Sequence, residues 1–284
     1  MDFLDNNAPP TVGIVGLGAF GRLMARHLSR HVSLLAYDPS LPEGDVIDGA
    51  LAASLEAVAR CRIVVLATPV NRLAAVVAAI APHLRPGVLV ADVGSVKVGP
   101  AAILRDGLPA HVEILGTHPL FGPQSARDGI RGHKIALCPI RGRQWRRVAA
   151  FLRGTLGLDV IVTTPEAHDR EAATVQGLTH LIAKVLVRME PLPTRMTTAS
   201  FDMLCRAVEM VRHDAPEVFL AIEQANPYAP DVRRRFFRLA AELDAELDGA
   251  HHGSAGTFPS PAWTETTPGM SASRAASLET ERAP

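Results

Sequence analysis

The stretch Thr11-Val12-Gly13-Ile14-Val15-Gly16-Leu17-Gly18-Ala19-Phe20-Gly21 decides the fold class of this chain. It joins an apolar strand to a helix through a turn with three glycines, which is the pattern of a dinucleotide-binding unit. Gly16 permits the tight turn, Gly18 lets the backbone approach a pyrophosphate, and Gly21 lets the helix pack closely on the sheet. We call residues 16–21 the glycine turn. It predicts cofactor contacts at Gly16, Leu17, Gly18, Ala19, Phe20 and Gly21.

Strand and helix patterns alternate from residue 11 to residue 164. Apolar, β-rich runs predict strands at 11–16, 32–37, 61–67, 87–93, 112–116, 134–138 and 158–162. Amphipathic runs predict helices between them, at 19–29, 55–59, 71–83, 96–105 and 143–156. Several strands are continuously apolar, as expected where both faces of a sheet are covered. The alternation predicts an α/β domain over residues 11–164, a Rossmann-like, doubly wound parallel sheet.

The pattern changes after Thr164. Pro165 suits the first turn of a helix, and residues 165–249 show only helical periodicity, which predicts an all-α second domain. Its first helix has an apolar stripe that we expect in the core: Val175, Leu178, Ile182, Val185 and Met189. The domain is rich enough in apolar residues to pair with a second copy. Segments 1–10 and 250–284 are polar or rich in small residues and predict disorder.

The bulk composition excludes several function classes. Lys plus Arg number 29 and Asp plus Glu also number 29, which argues against a nucleic-acid-binding protein. The longest apolar run, 73–81, is too short to span a membrane. Three scattered cysteines indicate a reducing compartment and no metal site. With no secretory signal at the start, we expect a cytoplasmic protein.

A carboxylate ends the second predicted strand, in Ala36-Tyr37-Asp38-Pro39. Asp38 at this place can bind ribose hydroxyls and would repel a 2′-phosphate, so the sequence favours NAD over NADP. The alternative is a turn-forming aspartate before proline. Thr68 ends the next strand at the same sheet edge and is a further candidate for cofactor contact.

A histidine and a serine are the candidates for chemistry. His118 is predicted on the turn after strand 112–116, at the edge of the sheet where ligands bind, and can exchange a proton near neutral pH. Ser95 is expected near the nicotinamide, or else as the N-cap of helix 96–105. We interpret Lys97 as a solvated or structural cation. A nucleotide site beside a base indicates hydride transfer from a hydroxylated carbon.

A polar stripe runs along the first helix of the second domain. Asp169, Ala173, Gln176 and His180 are spaced by four, three and four residues, so they share one face. Two orientations are open: the stripe faces solvent, or it lines the cleft with Gln176 and His180 reaching the substrate. His168 lies on a different face and is expected only to cap the helix start or to hydrogen-bond there with Asp169.

These motifs together resemble the prephenate/arogenate dehydrogenase family over residues 11 to about 247. The resemblance rests on the glycine turn and on residues 67–69, 92–97, 116–123, 166–170 and 175–180. It implies that His118 accepts a proton from the ring hydroxyl while hydride passes to NAD. It also implies that Ser95 bonds that hydroxyl, that His180 holds the substrate, and that the helical domain forms a homodimer. Loss of carbon dioxide then yields an aromatic ring, a step of tyrosine biosynthesis.

The chain departs from that family at two places. Some members carry an arginine in the helical domain for a substrate carboxylate, where this chain has Asp202, Met210 and Leu220, with Arg206 and Arg212 nearby. Some carry an acid where Gln124 stands, and a neutral Gln124 weakens recognition of an amino group. Gln176 and Gln124 are the substrate-binding candidates. We expect no fused mutase and no regulatory domain.

Three alternatives to a prephenate or arogenate dehydrogenase are open. An enzyme acting on 4-amino-4-deoxyprephenate would use the same site. A 3-hydroxyacid dehydrogenase would need a lysine on the second-domain helix, for which Lys184 is available. A non-catalytic sensor of NAD would make His118 and Ser95 incidental.

Overall fold

The computed structural model describes residues 12–252, with side chains to residue 249. The predictions for segment 1–10 and for the tail from 253 onward therefore lie outside the described residues. Helix α9 continues to His252, so the first residues of the predicted tail are helical. Residues 12–238 belong to one compact unit, and a second unit begins at Leu239.

Nine strands form one sheet in the order β3-β4-β2-β1-β5-β6-β7-β8-β9. Their bounds are β1 Val12–Val15, β2 Leu34–Tyr37, β3 Val46–Ile47, β4 Ala50–Ala52, β5 Ile63–Leu66, β6 Leu89–Asp92, β7 Glu113–Pro119, β8 Lys134–Arg141 and β9 Asp159–Val162. All pairs are parallel except β3–β4 and β7–β8. The predicted α/β class with a doubly wound, mostly parallel sheet is confirmed.

Helices cover both faces of this sheet. Helices α1 (Ala19–Leu28) and α5 (Trp145–Gly154) pack on one face. Helices α2 (Leu55–Ala59), α3 (Leu73–Ile80) and α4 (Val98–Gly107) pack on the other. Strand β5 shows how the core is divided, because Val64 and Leu66 join one cluster while Val65 joins another. The alternation of side chains along a strand explains this division.

The β3–β4 hairpin was not predicted from the sequence. Its turn is Asp48-Gly49, with φ of 51° and 86°, and both residues lie in the left-handed region that such a two-residue turn requires. The Asp-Gly pair is the signal that would have located it. The strands are too short to show a clear period of two.

From Pro165 onward, every secondary-structure element in the part of the chain that the structure describes is helical, as predicted. It forms α6 (Pro165–Arg188), α7 (Ala199–Arg212), α8 (Pro216–Leu220), a π-helical turn (Ala221–Ala225) and α9 (Ala229–His252). Thr164 caps α6 by accepting from the Ala167 N–H. Within the described range 12–252, no helix is both long and apolar enough to cross a membrane.

The predicted core stripe of α6 is wrong. Val175 is 68% exposed and Met189 is 62% exposed, and Val185 is also exposed. The polar stripe is the one that packs inward, because Asp169, Ala173 and His180 are buried. Of the two orientations left open by the spacing, the structure therefore has the inward one.

Candidate active site

His118 lies within strand β7 and not on a turn after it, which corrects the predicted position. Strand β8 runs antiparallel to β7 and pairs with it through Pro119, with His118 opposite Ala136, so the backbone stays extended. The side chain is only 3% exposed. Its buried location makes the hydrogen-bond partners of the ring decisive for its chemistry.

Three buried side chains form a chain of hydrogen bonds, which we call the relay: His118, His168 and Asp169. His118 Nδ1 lies 2.8 Å from His168 Nε2, and His168 Nδ1 lies 2.8 Å from Asp169 Oδ1. A carboxylate only accepts, so His168 carries its proton on Nδ1 and accepts at Nε2. His118 must then donate from Nδ1. The relay therefore leaves His118 Nε2 as an unprotonated acceptor.

Asp169 also joins α6 to α4. Its carboxylate accepts from the Lys97 N–H at 2.7 Å and from the Val98 N–H at 2.8 Å, which satisfies free donors at the start of α4. The amide of Asn226 donates to the Asp169 carbonyl at 2.8 Å. These contacts fix the end of the relay in place.

Lys97 is a structural cation, one of the two roles considered from the sequence. It is 1% exposed, forms a buried ion pair with Asp92, and donates to the Thr117 carbonyl at 2.7 Å. Asp92 Oδ1 has no hydrogen-bond partner in the described part of the chain. Burial raises the pKa of Asp92, against the opposing charge of Lys97. Lys97 thus places a positive charge behind the strand that carries His118.

The electrostatic setting keeps His118 neutral. Burial is the largest cause, and the electrostatic interactions with the neighbouring His168 and with Lys97 add to it, so the pKa of His118 lies well below 6.5. A neutral ring with an unprotonated Nε2 can accept a proton at neutral pH. The site therefore has the properties of a general base.

Gln176 is the member of the polar stripe that meets His118. Its side-chain nitrogen lies 3.3 Å from His118 Nε2, and its Oε1 is buried without a partner among the described residues. His180 lies one helical turn further along α6, with Nε2 3.8 Å from Asp214 and its ring beside Phe219. Burial, followed by the charge of Lys184, lowers the pKa of His180.

The other residues predicted to contact the substrate lie outside the relay. Ser95 is half-buried in the loop between β6 and α4, and α4 begins at Val98 with Lys97 as its N-cap, so the capping alternative for Ser95 is wrong. Gln124 is exposed. Arg212 is held by Glu190 and Glu209, and Arg206 is exposed on α7.

The glycine turn has the geometry of a dinucleotide cradle. Gly16 has a φ of 102°, and a Cβ there would lie 2.6 Å from the Ala67 carbonyl oxygen. A Cβ on Gly21 would lie 2.1 Å from the Gly16 oxygen, so only glycine lets α1 approach this closely. A Cβ on Gly18 would meet nothing within 4 Å, which leaves open space at the amino end of α1. That space fits a pyrophosphate.

Asp38 and Thr68 flank this cradle. Asp38 Oδ2 accepts from the Leu17 N–H at 2.9 Å, and Oδ1 accepts from the Ser40 hydroxyl at 2.6 Å. Burial by itself would raise the pKa of Asp38. The hydrogen bonds from Ser40 and Leu17 and the charge of Arg22 have the larger combined effect, so the pKa of Asp38 is lowered. The hydroxyl of Thr68 is buried without a partner in the described chain, and its methyl group borders Gly16. Asp38 thus remains an ionised acceptor.

His168 and Asp169 are the residues whose role sequence reasoning missed. The bond between them was expected, but the contact of His168 with His118 spans 50 positions. The only local signal is a histidine–aspartate pair in the first turn of a helix.

Within residues 12–249, no group of three or more potential ligands could hold a metal ion.

The chain is similar to known dehydrogenases. A family model described as the nucleotide-binding domain of prephenate dehydrogenase matches residues 42–164. A probable arogenate/prephenate dehydrogenase of Methanocaldococcus jannaschii is 25% identical over 84% of this chain and 56% of its own length. Cyclohexadienyl dehydrogenase of Zymomonas mobilis is 31% identical over 63% of this chain and 66% of its own length.

The fold matches a solved structure of the same kind. The crystal structure of prephenate dehydrogenase from A. aeolicus, in complex with hydroxyphenyl propionate and NAD+, superposes with a TM-score of 0.66. It covers 86% of this chain and 93% of the other at 20% identity. The chain spans about half the length of the first curated relatives it matches.

Proposed function

We propose that this chain is a member of the prephenate/arogenate dehydrogenase family, as its similarity to those proteins supports, and that it oxidises prephenate, arogenate or both with NAD. The observation that carries the proposal is the relay, because it makes His118 a neutral base with an unprotonated Nε2. Asp38 favours NAD over NADP, since its carboxylate would repel a 2′-phosphate. Ser40 and Leu17 hold that carboxylate in its charged form.

The residues have distinct roles in the proposed reaction. Bound NAD supplies the acceptor for the hydride. His118 Nε2 takes the proton of the ring hydroxyl, and the relay carries the resulting positive charge toward Asp169. Gln176 orients the hydroxyl with its amide. As the ring carboxylate leaves as carbon dioxide, the product becomes aromatic, so the protein has mainly to position the ring and accept one proton.

Three further residues are proposed to bind the substrate. His180, one turn from Gln176 on α6, is proposed to bind the substrate beyond its hydroxyl. Ser95 and Gln124 lie in the loops after β6 and β7 and are proposed to contact the hydroxyl and the side chain of the substrate. A 3-hydroxyacid dehydrogenase would need a lysine as its proton acceptor. Lys184 does not suit that role, because it is exposed and lies over the ring of Phe219.

We further propose a place for the reaction in tyrosine biosynthesis, in the cytoplasm, with a homodimer as the working form. The exposed apolar side chains of α6 and α7 support the homodimer. Placement in the tyrosine pathway follows from the proposed substrate alone.

The test is reduction of the nicotinamide by the purified chain. Prephenate, arogenate and 4-amino-4-deoxyprephenate are offered separately, each with NAD and with NADP, and the ratio of kcat/KM values identifies the preferred pair. His118→Asn is expected to lower kcat by about 10²–10⁴-fold while NAD binding persists. Absence of turnover with all three substrates in a chain that binds NAD would exclude the proposal and favour a sensor.

A further inference from the structure

A group of side chains beyond Gln176 lies outside the relay. It consists of His180 and Lys184 on α6, Asp214 in the loop between α7 and α8, and Phe219 on α8, and we call it the α6–α8 group. The ring of Phe219 joins its members, because the centroid of that ring lies 6.3 Å from the centroid of His180 and 5.4 Å from Lys184 Nζ. The Asp214 carboxylate lies 3.8 Å from His180 Nε2.

Asp214 is a carboxylate without a matched cation. Its contact with His180, at 3.8 Å, is too long for a hydrogen bond. Within residues 12–249, the carboxylate forms no hydrogen bond and no ion pair with a lysine or arginine. Burial raises the pKa of Asp214, and the charge of Lys184 opposes that rise from beyond ion-pair distance. A half-buried carboxylate in this setting gains from a cationic donor, because a bound ammonium replaces the water that the carboxylate has lost.

Other acids around α6 are already in use. Asp169 belongs to the relay and caps α4. Glu223 is buried against α6, and its charge is matched by Arg233, whose guanidinium lies 2.7 Å from Glu223 Oε2. Gln124, in the loop after β7, carries no charge. Asp214 is thus an acid at the polar stripe that an incoming ammonium can join without breaking an ion pair.

The α6–α8 group lies one helical turn from the proposed position of the ring hydroxyl. Gln176 meets His118 Nε2, where that hydroxyl is proposed to bind. His180 is four residues further along α6, about 6 Å by the rise of the helix, and Asp214 lies beside it. In prephenate and arogenate, the hydroxyl and the side chain leave opposite corners of the ring. A ring bound between Gln176 and His180 therefore directs its side chain toward Asp214 and Lys184.

The two charges of the group match an α-amino acid. Arogenate ends in an ammonium and a carboxylate on one carbon, whereas prephenate ends in a keto group and a carboxylate. Lys184 is exposed and forms no ion pair in the described part of the chain, so it can bind the carboxylate that both substrates share. His180 does not repel an ammonium, because burial and the charge of Lys184 lower its pKa and keep its ring neutral at neutral pH.

We propose that Asp214 makes this chain prefer arogenate over prephenate by binding the substrate ammonium, while Lys184 binds the α-carboxylate. The inference rests on the proposed function and deepens it, because it names which of the two substrates the site selects. The third candidate, 4-amino-4-deoxyprephenate, is expected to be a poor substrate, since its amino group is on the ring and its side chain is that of prephenate.

Initial rates with NAD give kcat/KM for arogenate and for prephenate, and the ratio of the two values measures the preference. We expect the wild type to favour arogenate about tenfold or more. Asp214→Asn should lower the arogenate value about 10–100-fold, with little change for prephenate. Lys184→Gln should lower both values by a similar factor and keep the ratio. Glu217→Gln, which alters an exposed acid on α8, is the matched control and should change neither value.

Calorimetry in the presence of NAD tests the same site without turnover. L-Tyrosine and 3-(4-hydroxyphenyl)propionate differ only in the α-amino group, so the wild type should bind L-tyrosine more tightly and Asp214→Asn should remove the difference. Thermal unfolding shows whether Asp214→Asn is folded, and Asp214→Ala replaces it if it is not.

The outcomes separate this inference from the proposed function. A wild type that prefers prephenate, or a preference that the folded Asp214 variant leaves unchanged, would overturn the inference and leave the dehydrogenase proposal standing. Absence of turnover with either substrate would remove both.

Discussion

At His118, the position of one proton decides whether the ring can act as a base. Asp169 accepts from His168 Nδ1, and His168 Nε2 accepts from His118 Nδ1, so both ring orientations and both tautomers follow from one carboxylate. The same carboxylate caps α4 through the Lys97 and Val98 N–H groups. Asp169 therefore controls the base without any contact with it.

The first prediction concerns Asp169→Asn. The new amide can donate to His168 Nδ1, which reverses the protons along the relay and places a proton on His118 Nε2. We expect kcat to fall by about 10²–10⁴-fold, with a smaller change in KM. The amide nitrogen cannot accept from the Lys97 N–H as Oδ1 does, so one bond to the start of α4 is lost and the free energy of unfolding should fall by about 1–3 kcal/mol. Steady-state kinetics and thermal unfolding measure these quantities, with Asp159→Asn as the exposed control, and an unchanged kcat would contradict the role of the relay.

The second prediction concerns pH. The pKa of His118 is well below 6.5 in the folded chain and 6.5 in the unfolded chain. Below pH 6.5 the unfolded chain binds the additional proton, so the stability present above pH 6.5 is lost as the pH falls toward the folded pKa. The free energy of unfolding, measured between pH 7.5 and about pH 5, should fall less in His118→Asn than in the wild type. An equal fall in both chains would indicate that His118 is not buried as a neutral ring.

At the scale of elements, the junction of β1 and α1 determines whether a cofactor can bind. Gly21 makes room for α1 against the Gly16 carbonyl, and Gly18 keeps the amino end of α1 open. The two glycines thus serve packing and binding separately, although both belong to the same short turn.

The third prediction is a matched pair of alanine variants. Gly21→Ala should lower the free energy of unfolding by about 1–3 kcal/mol, because its Cβ would overlap the Gly16 oxygen. Gly18→Ala should change it by at most about 1 kcal/mol, since its Cβ meets no protein atom within 4 Å. It should instead weaken NAD binding about tenfold or more, a cost of about 1.4 kcal/mol. Denaturation and calorimetry separate the two effects, and tight NAD binding by Gly18→Ala would argue against the proposed pyrophosphate position.

At the scale of the whole molecule, several large apolar side chains of the helical part are exposed to solvent. Val175, Val185 and Met189 of α6 and Met203 and Met210 of α7 are all exposed in the single chain. Where exposed apolar side chains adjoin one another in a patch, the patch usually marks an interface between proteins.

The fourth prediction is a homodimer built on this surface. Light scattering at micromolar concentration should give twice the mass of one chain. Val175→Glu with Met203→Glu should give a folded monomer, because each buries a charge in the interface. Val46→Glu, at an exposed residue of the β3–β4 hairpin, should remain dimeric. A monomeric wild type would remove this explanation for the exposed side chains.

The sequence by itself determined the fold class and the helical second part. These properties depend on local periodicity, on glycines that a turn requires, and on the proline and threonine that begin α6, all of which act over a few residues. The identity of His118 as the candidate base also came from the sequence, through its neighbours in residues 116–123. The Asp48-Gly49 turn of the β3–β4 hairpin is a further local signal of the same kind.

Only the tertiary structure decided which face of α6 is buried, where β7 ends, and which groups touch His118. Periodicity shows that residues share a face, but burial depends on what packs against that face, and here Asp169 is drawn inward by the free N–H groups of α4. Pairing with β8 extends β7 past His118. The contact between His118 and His168 joins residues far apart in the chain, and no local pattern encodes a distance that only the assembled sheet and helix create.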